Sequence, residues 1–157
     1  MNPDTKNTWM DADVGKLDSL PHAAPIRVEN PAAKDTTEHD LAFALVRIVF
    51  GLLIAAHGAQ KLFGFFGGAQ VHDSALLIAG SLEFVGGMAV AMGIFTRIMA
   101  FLLCGEMAVA YFKVHFGAGQ WPIGNIGEVT ILYCFFFLYV FMRGAGGVSI
   151  EALRRKG

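Results

Sequence analysis

The fold is decided by the stretch LAFALVRIVFGLLIAAHGAQKLF, residues 41–63, whose only charged side chains are Arg47 and Lys61. A helix rises about 1.5 Å per residue, so a segment of this length crosses a hydrocarbon core of about 30 Å. Three further segments share this apolar character: residues 75–95, 98–116 and 126–142. The sequence therefore predicts an all-α fold, a membrane four-helix bundle.

The composition of the whole chain also indicates that the protein resides in a lipid bilayer. Its 157 residues are 55% hydrophobic and 16% charged, with a mean hydropathy of +0.53. A soluble domain averages about 25% charged residues, whereas residues 41–142 hold only eight charges. This disfavours a soluble enzyme, a disordered protein and a disulfide scaffold. A formal net charge of −1 provides no basic surface for nucleic acid.

Composition also divides the chain into three parts. Residues 1–39 contain four of the five prolines and no sustained apolar period, so we expect a disordered cytoplasmic tail. Residues 40–143 form the predicted four-helix domain, with Thr37 or Asp40 as a candidate N-cap of its first helix. Residues 144–157 are expected to form a cytoplasmic C-terminal tail.

The distribution of basic residues predicts the orientation in the membrane. Four crossings place both termini and the second loop on one side, which carries seven bases near the membrane: Arg27, Lys34, Arg97, Arg143, Arg154, Arg155 and Lys156. The other side carries only Lys61 and Lys113. Because basic residues concentrate on the cytoplasmic side, both termini are predicted to be cytoplasmic.

Six ionisable side chains lie at predicted membrane depth: Arg47, Lys61, Glu83, Glu106, Lys113 and Glu128. Such a group costs at least about 2.5–3.5 kcal/mol at the bilayer centre, so it should face the bundle interior and have a partner. Their charges sum to zero. Helical rise and period predict a sheltered polar pocket, with Glu83 and Glu106 deepest and His57, Lys61, Lys113 and Glu128 near an outer mouth.

Two interpretations of this pocket remain open. In the structural one, the charges pair with each other and specify which helix meets which. In the functional one, Glu83 or Glu106 exchanges protons with a redox or transported ligand, while Lys61 or His57 binds an oxygen atom of that ligand.

The histidines and cysteines offer two further alternatives. His57 and His115 lie on different helices and could ligate haem iron, although single histidines on two helices are commonplace. Cys104 and Cys134 are predicted at similar depth, either as a neighbouring redox pair or as small hydrophobic residues. No local motif for a metal, a flavin or an Fe–S cluster is present in the sequence.

A set of short motifs extends over residues 41–151: Arg47–Gly51, His57–Gly64, Phe66–Gly68, Glu83–Gly87, Gly93–Arg97, Glu106–Tyr111, Trp121–Pro122, Asn125–Glu128 and Gly144–Glu151. In combination they resemble the DoxX family of small four-helix membrane proteins. Two positions depart from the family pattern, since Ile126 stands where glycine is usual and Glu151 where aspartate is usual. The N-terminal tail is not covered by the resemblance.

The resemblance implies more than the spacing of charges does. Some DoxX-like proteins are similar to the membrane subunit of thiosulfate:quinone oxidoreductase, and others are associated with oxidative stress or with a complex that handles thiols and superoxide. It implies a multi-pass subunit of a quinone-linked redox system in the bacterial inner membrane. Electrons would come from a soluble or membrane partner protein, and a homo-oligomer is also compatible.

On this hypothesis the site residues have two roles. Glu83 and Glu106 are the candidate catalytic residues that relay protons. The candidate ligand-binding residues are Arg47, His57, Gln60, Lys61, Lys113 and Glu128, with a quinone as the cofactor and no metal. Two alternatives are a non-enzymatic scaffold or assembly subunit and a small proton-coupled transporter, although the four segments show no internal inverted repeat.

Overall fold

Helices are the only regular secondary structure in the part of the chain that this computed structural model describes, residues 31–68 and 70–157. In chain order they are α1 (Pro31–Phe63), α2 (Ser74–Met92), α3 (Thr96–Ala110), α4 (Glu128–Arg143) and the short α5 (Ile150–Arg154). A five-residue π-helical turn, Tyr111–His115, continues α3, and 3₁₀ turns lie at Phe65–Gly67 and Phe116–Ala118. The predicted all-α class is confirmed.

Within residues 31–68 and 70–157, three helical segments are long and apolar enough to cross a membrane: Thr37–Phe63, Ser74–Met92 and Thr96–Ala118. They coincide with the first three apolar segments of the sequence. The fourth segment folds as α4, which has 16 residues and is therefore about 24 Å long. Helix length thus supports three crossings, and the fourth crossing stays a prediction.

The ends of the helices follow from local side-chain chemistry. The carboxylate of Asp73 accepts hydrogen bonds from the main-chain N–H groups of Ala75 (3.0 Å) and Leu76 (3.1 Å), which caps α2 as its sequence indicates. At the other end of α2, Gly93 has φ of 71°, a left-handed conformation that favours glycine.

α1 begins earlier than the sequence indicates. Its first residue is Pro31, a residue type that suits the first helical position because its missing N–H has no intrahelical partner there. Thr37 and Asp40 are therefore inside the helix and do not cap it, and α1 runs across the predicted domain boundary at residue 40. The predicted disorder of residues 1–30 lies outside the described residues.

The first two long helices approach closely where glycines face each other. A Cβ atom added to Gly51 would lie 2.7 Å from the carbonyl oxygen of Gly87. One added to Gly87 would lie 2.6 Å from the carbonyl oxygen of Gly51. Real Cβ contacts are not this short, so both positions need glycine for the two backbones to meet, as small residues permit in membrane helix pairs.

The core is shared by all four long helices. Each contributes a fully buried apolar side chain: Ile54 from α1, Val90 from α2, Leu103 from α3 and Phe137 from α4. Many large apolar side chains point outward instead, including Leu52, Ile78, Phe101, Ile126 and Phe135. An apolar surface of this extent is stable in lipid and unfavourable in water, so the structure supports a membrane protein.

Candidate functional site

The centre of the candidate site is an ion pair between the first two helices. Lys61 Nζ, in the last turn of α1, donates to Glu83 Oε1 of α2 at 2.6 Å. The Glu83 side chain is 4% exposed and the Lys61 side chain 31% exposed. Gly80, one turn before Glu83, leaves room for the lysine, because a Cβ there would lie 3.0 Å from Lys61 Cβ. A charge predicted to need a partner therefore has one.

Glu106 brings a second carboxylate to the same place from α3. It is half-buried, and it interacts electrostatically with both Glu83 and Lys61. Glu83 Oε2 and Glu106 Oε2 are buried oxygens with no hydrogen-bond partner among the described residues. One ammonium group thus faces two carboxylates. Both oxygens therefore lack the hydrogen bond that would offset the cost of their burial.

A cleft of about 240 Å³ lies on α1 beside this cluster. Its walls are Leu53, Ala56 and Phe66, and its polar lining residues are His57 and Gln60. Gln60 immediately precedes Lys61 in the chain, so the cleft and the ion pair share the last turns of one helix. An amide and an imidazole on apolar walls can hydrogen-bond a carbonyl oxygen while the walls contact an apolar ring.

Tyr133 is a further polar side chain near the cleft and the ion pair, and the sequence did not single it out. It is 6% exposed on α4, and its ring meets the His57 ring edge-on at a centroid distance of 6.2 Å. It also interacts electrostatically with Glu83. A tyrosine within the phenylalanine-rich run ILYCFFF was the available signal, because a buried tyrosine hydroxyl usually needs a polar partner.

The structure holds Arg47 apart from this cluster. Arg47 is 14 residues before Lys61 on α1, about 21 Å along the helix axis. Its side chain is 1% exposed, and Nη2 donates to the carbonyl oxygen of Val148 at 2.9 Å. Arg47 Nε and Nη1 are buried without a hydrogen-bond partner among the described residues. Arg47 therefore belongs to a second buried polar group, at the other end of the bundle.

The second group holds the segment that follows α4. Glu151 Oε1 accepts a hydrogen bond from the main-chain N–H of Thr96 at 2.7 Å, at the start of α3. The main-chain N–H of Glu151 in turn donates to the carbonyl oxygen of Gly93 at 3.1 Å. Ser149 caps α5 through a bond from the Ala152 N–H at 3.1 Å. Part of the predicted C-terminal tail is therefore an ordered segment docked on the helix ends.

Lys113 and Glu128 are not brought to the ion pair by any contact in the described chain. Both are exposed, Lys113 in the π-helical turn and Glu128 at the first residue of α4. The nearby loop is organised by Asn125, whose side-chain nitrogen donates to the Gly119 carbonyl oxygen at 2.7 Å. Of the six predicted charges, the structure brings together Lys61, Glu83 and Glu106.

His115 is part of that loop structure. Its Nδ1 atom lies 3.0 Å from the carbonyl oxygen of Asn125, and its Nε2 atom lies 3.3 Å from Thr130 Oγ1. One ring nitrogen is therefore engaged by the loop and the other by α4, which argues against the haem pair considered with His57. The described residues contain no group of three or more side chains arranged to hold a metal ion.

Comparisons with known proteins add the following findings. The DoxX family model matches residues 42–116. A protein of Haemophilus influenzae, called only an uncharacterized protein, is 40% identical over 116 residues, covering 69% of this chain and 87% of the relative. No solved structure matches the chain.

Proposed function

The chain belongs to the DoxX family, and we propose that it binds a quinone-like ligand in the cleft on α1 and exchanges protons with it. The chain would be a multi-pass protein of the bacterial inner membrane, with four crossings and both termini in the cytoplasm. Three helices of spanning length among the described residues support the multi-pass character, and the seven-to-two distribution of basic residues supports the proposed orientation.

One observation carries the proposal: Gln60, which lines the cleft, and Lys61, which pairs with Glu83, are consecutive residues of α1. His57 and Gln60 line the cleft, and Lys61 holds Glu83 at 2.6 Å. The side-chain amide of Gln60 would donate to a carbonyl oxygen of the ligand. Leu53 and Phe66 are exposed apolar residues, so an apolar ligand would reach the cleft from the lipid.

The carboxylates supply the proton chemistry of the proposal. Reduction of a quinone to a quinol consumes two electrons and two protons, and a redox partner protein would deliver the electrons. Glu83 and Glu106 each have an unpartnered buried oxygen on which a proton can be held. Tyr133 touches His57 of the cleft and interacts with Glu83, so it lies on a route between the protons and the ligand.

The experiment compares two glutamine variants in lipid nanodiscs, with ubiquinone-1 as the probe and bound quinone measured by equilibrium dialysis. Gln60→Leu removes the proposed hydrogen bond and should raise the Kd about tenfold, equivalent to about 1.4 kcal/mol. Gln70→Leu changes an exposed glutamine outside the cleft and should bind as the wild type does. Wild-type protein that does not bind ubiquinone-1, or equal affinities for Gln60→Leu and Gln70→Leu, would refute the proposal.

The second candidate function is a non-enzymatic assembly subunit. The Lys61–Glu83 pair favours it. An ion pair of 2.6 Å can have the purely structural role of fixing which face of α1 meets α2. On this alternative Glu106→Gln changes folding or association with a partner and causes no separate loss of quinone reduction. A transporter would instead show substrate flux in proteoliposomes under an imposed pH gradient.

A further inference from the structure

We propose that Cys104 and Cys134 are a reversible disulfide site that joins α3 to α4 in response to lipid-soluble oxidants. The two Sγ atoms lie 3.7 Å apart although the residues are 30 positions apart in the chain. The two cysteines are therefore neighbours, as their similar predicted depth allowed. A disulfide is about 2.05 Å long, so the sulfurs must approach by about 1.7 Å, a distance that side-chain rotation supplies.

The main chains are also close at this point. The Cys134 thiol donates to the carbonyl oxygen of Cys104 at 3.5 Å, as well as contacting the Cys104 sulfur. A side chain as short as cysteine reaches the backbone of the neighbouring helix only where the two backbones approach each other. Disulfide bonds need this closeness, with Cα atoms about 4.4–6.8 Å apart.

Both thiols are accessible from the outer surface of the bundle. Each cysteine is partly exposed, and each packs against the edge of the apolar core. The flanking residues Phe101 and Phe135 are 59% and 66% exposed, and nothing lies within 4 Å of the Cβ position at Gly105. In a membrane this surface faces lipid, so the oxidant that meets the pair is an apolar one such as a lipid hydroperoxide.

The chemistry of closure is balanced by one hydroperoxide. The first thiol attacks the terminal peroxide oxygen, the O–O bond breaks, and an alcohol leaves while the cysteine becomes a sulfenic acid. The second sulfur attacks the first, the S–O bond breaks, and water leaves with the second thiol proton. Two thiols and one hydroperoxide thus give one disulfide, one alcohol and one water. A dithiol reductant reopens the bond by exchange and is itself oxidised to a disulfide.

The positions of the cysteines and of the trypsin sites allow the disulfide to be detected without ambiguity. Cys104 and Cys134 are the only two cysteines of the chain, so every thiol signal comes from this pair. Trypsin sites at Arg97, Lys113 and Arg143 place Cys104 on peptide 98–113 and Cys134 on peptide 114–143. The two peptides stay connected after denaturation and digestion only if a disulfide joins them.

The experiment treats membranes containing the full chain with cumene hydroperoxide after complete reduction. We expect loss of maleimide labelling at both cysteines together, a mass decrease of about 2 Da, and a linked pair of tryptic peptides. Dithiothreitol should restore both labels. Cys104→Ala and Cys134→Ala, each with one thiol, serve as controls and should give no linked pair.

Three results would overturn the proposal. The first concerns a control protein, Cys104→Ala/Cys134→Ala/Lys156→Cys, whose single cysteine is exposed to water. If the oxidant fully oxidises this control while Cys104 and Cys134 of the wild type stay labelled, the proposal is wrong. The second is a mass increase of about 16 or 32 Da without peptide linkage, which indicates sulfenic or sulfinic acid as the end product. The third is a disulfide between two copies of the chain on a non-reducing gel. The test involves no quinone and is independent of the function proposed above.

Discussion

The apolar stretch of α1, residues 41–63, carries two cations, Arg47 and Lys61, one in each half, and the bundle holds them in different ways. Lys61 is paired with a side-chain carboxylate, Glu83 Oε1 at 2.6 Å, and a second carboxylate from Glu106 lies nearby. Arg47 is held by a main-chain carbonyl oxygen, that of Val148 at 2.9 Å, in the segment after α4. At Lys61 the acidic groups outnumber the basic ones and a cleft lies beside them. At Arg47 a guanidinium holds a chain segment by a hydrogen bond.

This difference indicates which end of the bundle is suited to proton exchange and ligand binding. A surplus carboxylate can take up and release a proton, and this one lies beside a cleft that opens on the lipid side. A guanidinium keeps its charge in proteins, and it orders main-chain carbonyls by donating to them. We therefore propose that ligand and proton chemistry belongs to the Lys61 end, whereas the Arg47 end docks the C-terminal segment.

The largest effect should come from breaking the ion pair at one partner. Lys61→Met leaves the charge of Glu83 buried and unpaired, which should lower the free energy of unfolding by about 3 kcal/mol. The measurement is an SDS titration in mixed micelles followed by circular dichroism. Replacing both partners, Lys61→Met with Glu83→Leu, should recover most of the loss. Equal stabilities for the single and double variants would contradict the pairing.

A smaller loss of stability is expected from substitution of Arg47. Arg47→Met removes a charge-assisted hydrogen bond to Val148 and should lower the free energy of unfolding by about 2 kcal/mol. It should also release the segment around α5, so that trypsin cuts at Arg154 much faster than in the wild type. Quinone affinity should not change. Reduced quinone binding with an intact C-terminal segment would reverse the roles that we assign to the two ends.

The next effect concerns the cap that Glu151 provides. Glu151→Ala removes the acceptor for the Thr96 N–H at the start of α3, and loss of such a cap costs about 1 kcal/mol. Glu128→Ala is the matched control, because Glu128 is exposed and should change stability by less than about 0.5 kcal/mol. Similar losses from the two substitutions, measured in the same titration, would show that Glu151 does not act as a cap.

The smallest effect on stability should accompany a clear effect on chemistry. Glu106→Gln keeps the shape of the side chain and removes its proton exchange, so we expect a stability change within about 0.5 kcal/mol. Quinone reduction by a partner-containing membrane preparation should fall at least tenfold, with the quinone Kd unchanged. A large loss of stability with normal turnover would assign Glu106 to the structure of the bundle instead.

Much of the fold was predictable because it depends on properties of single segments. Apolar length located the helices, because it is a property of each segment alone. The beginning of α1 at Pro31 was not predicted, since its first residues are polar and lack an apolar period. The extent of α4 was predicted closely, since the expected segment 126–142 and the observed helix Glu128–Arg143 differ by two residues at the start and one at the end.

The candidate site was predictable in its residue types and less so in its partners. The cost of a charge in lipid marked Lys61, Glu83 and Glu106, and the structure brings these three together. The same reasoning put Arg47 in the pocket, but its partner Val148 lies 101 residues away in a segment read as a tail. Tyr133 was overlooked because hydropathy treats it as one more aromatic residue in an apolar run.

From the sequence alone one can predict that the chain forms apolar helices of about membrane length and that its few internal charges need partners. Both follow from the composition of each segment and the cost of desolvating a charge. Only the tertiary structure decided which partner each group has: Lys61 with Glu83, Arg47 with the C-terminal segment, and Cys104 with Cys134. A helix sets the angles among its own side chains, but the rotation and offset between two helices depend on contacts such as Gly51 against Gly87, which distant parts of the chain supply.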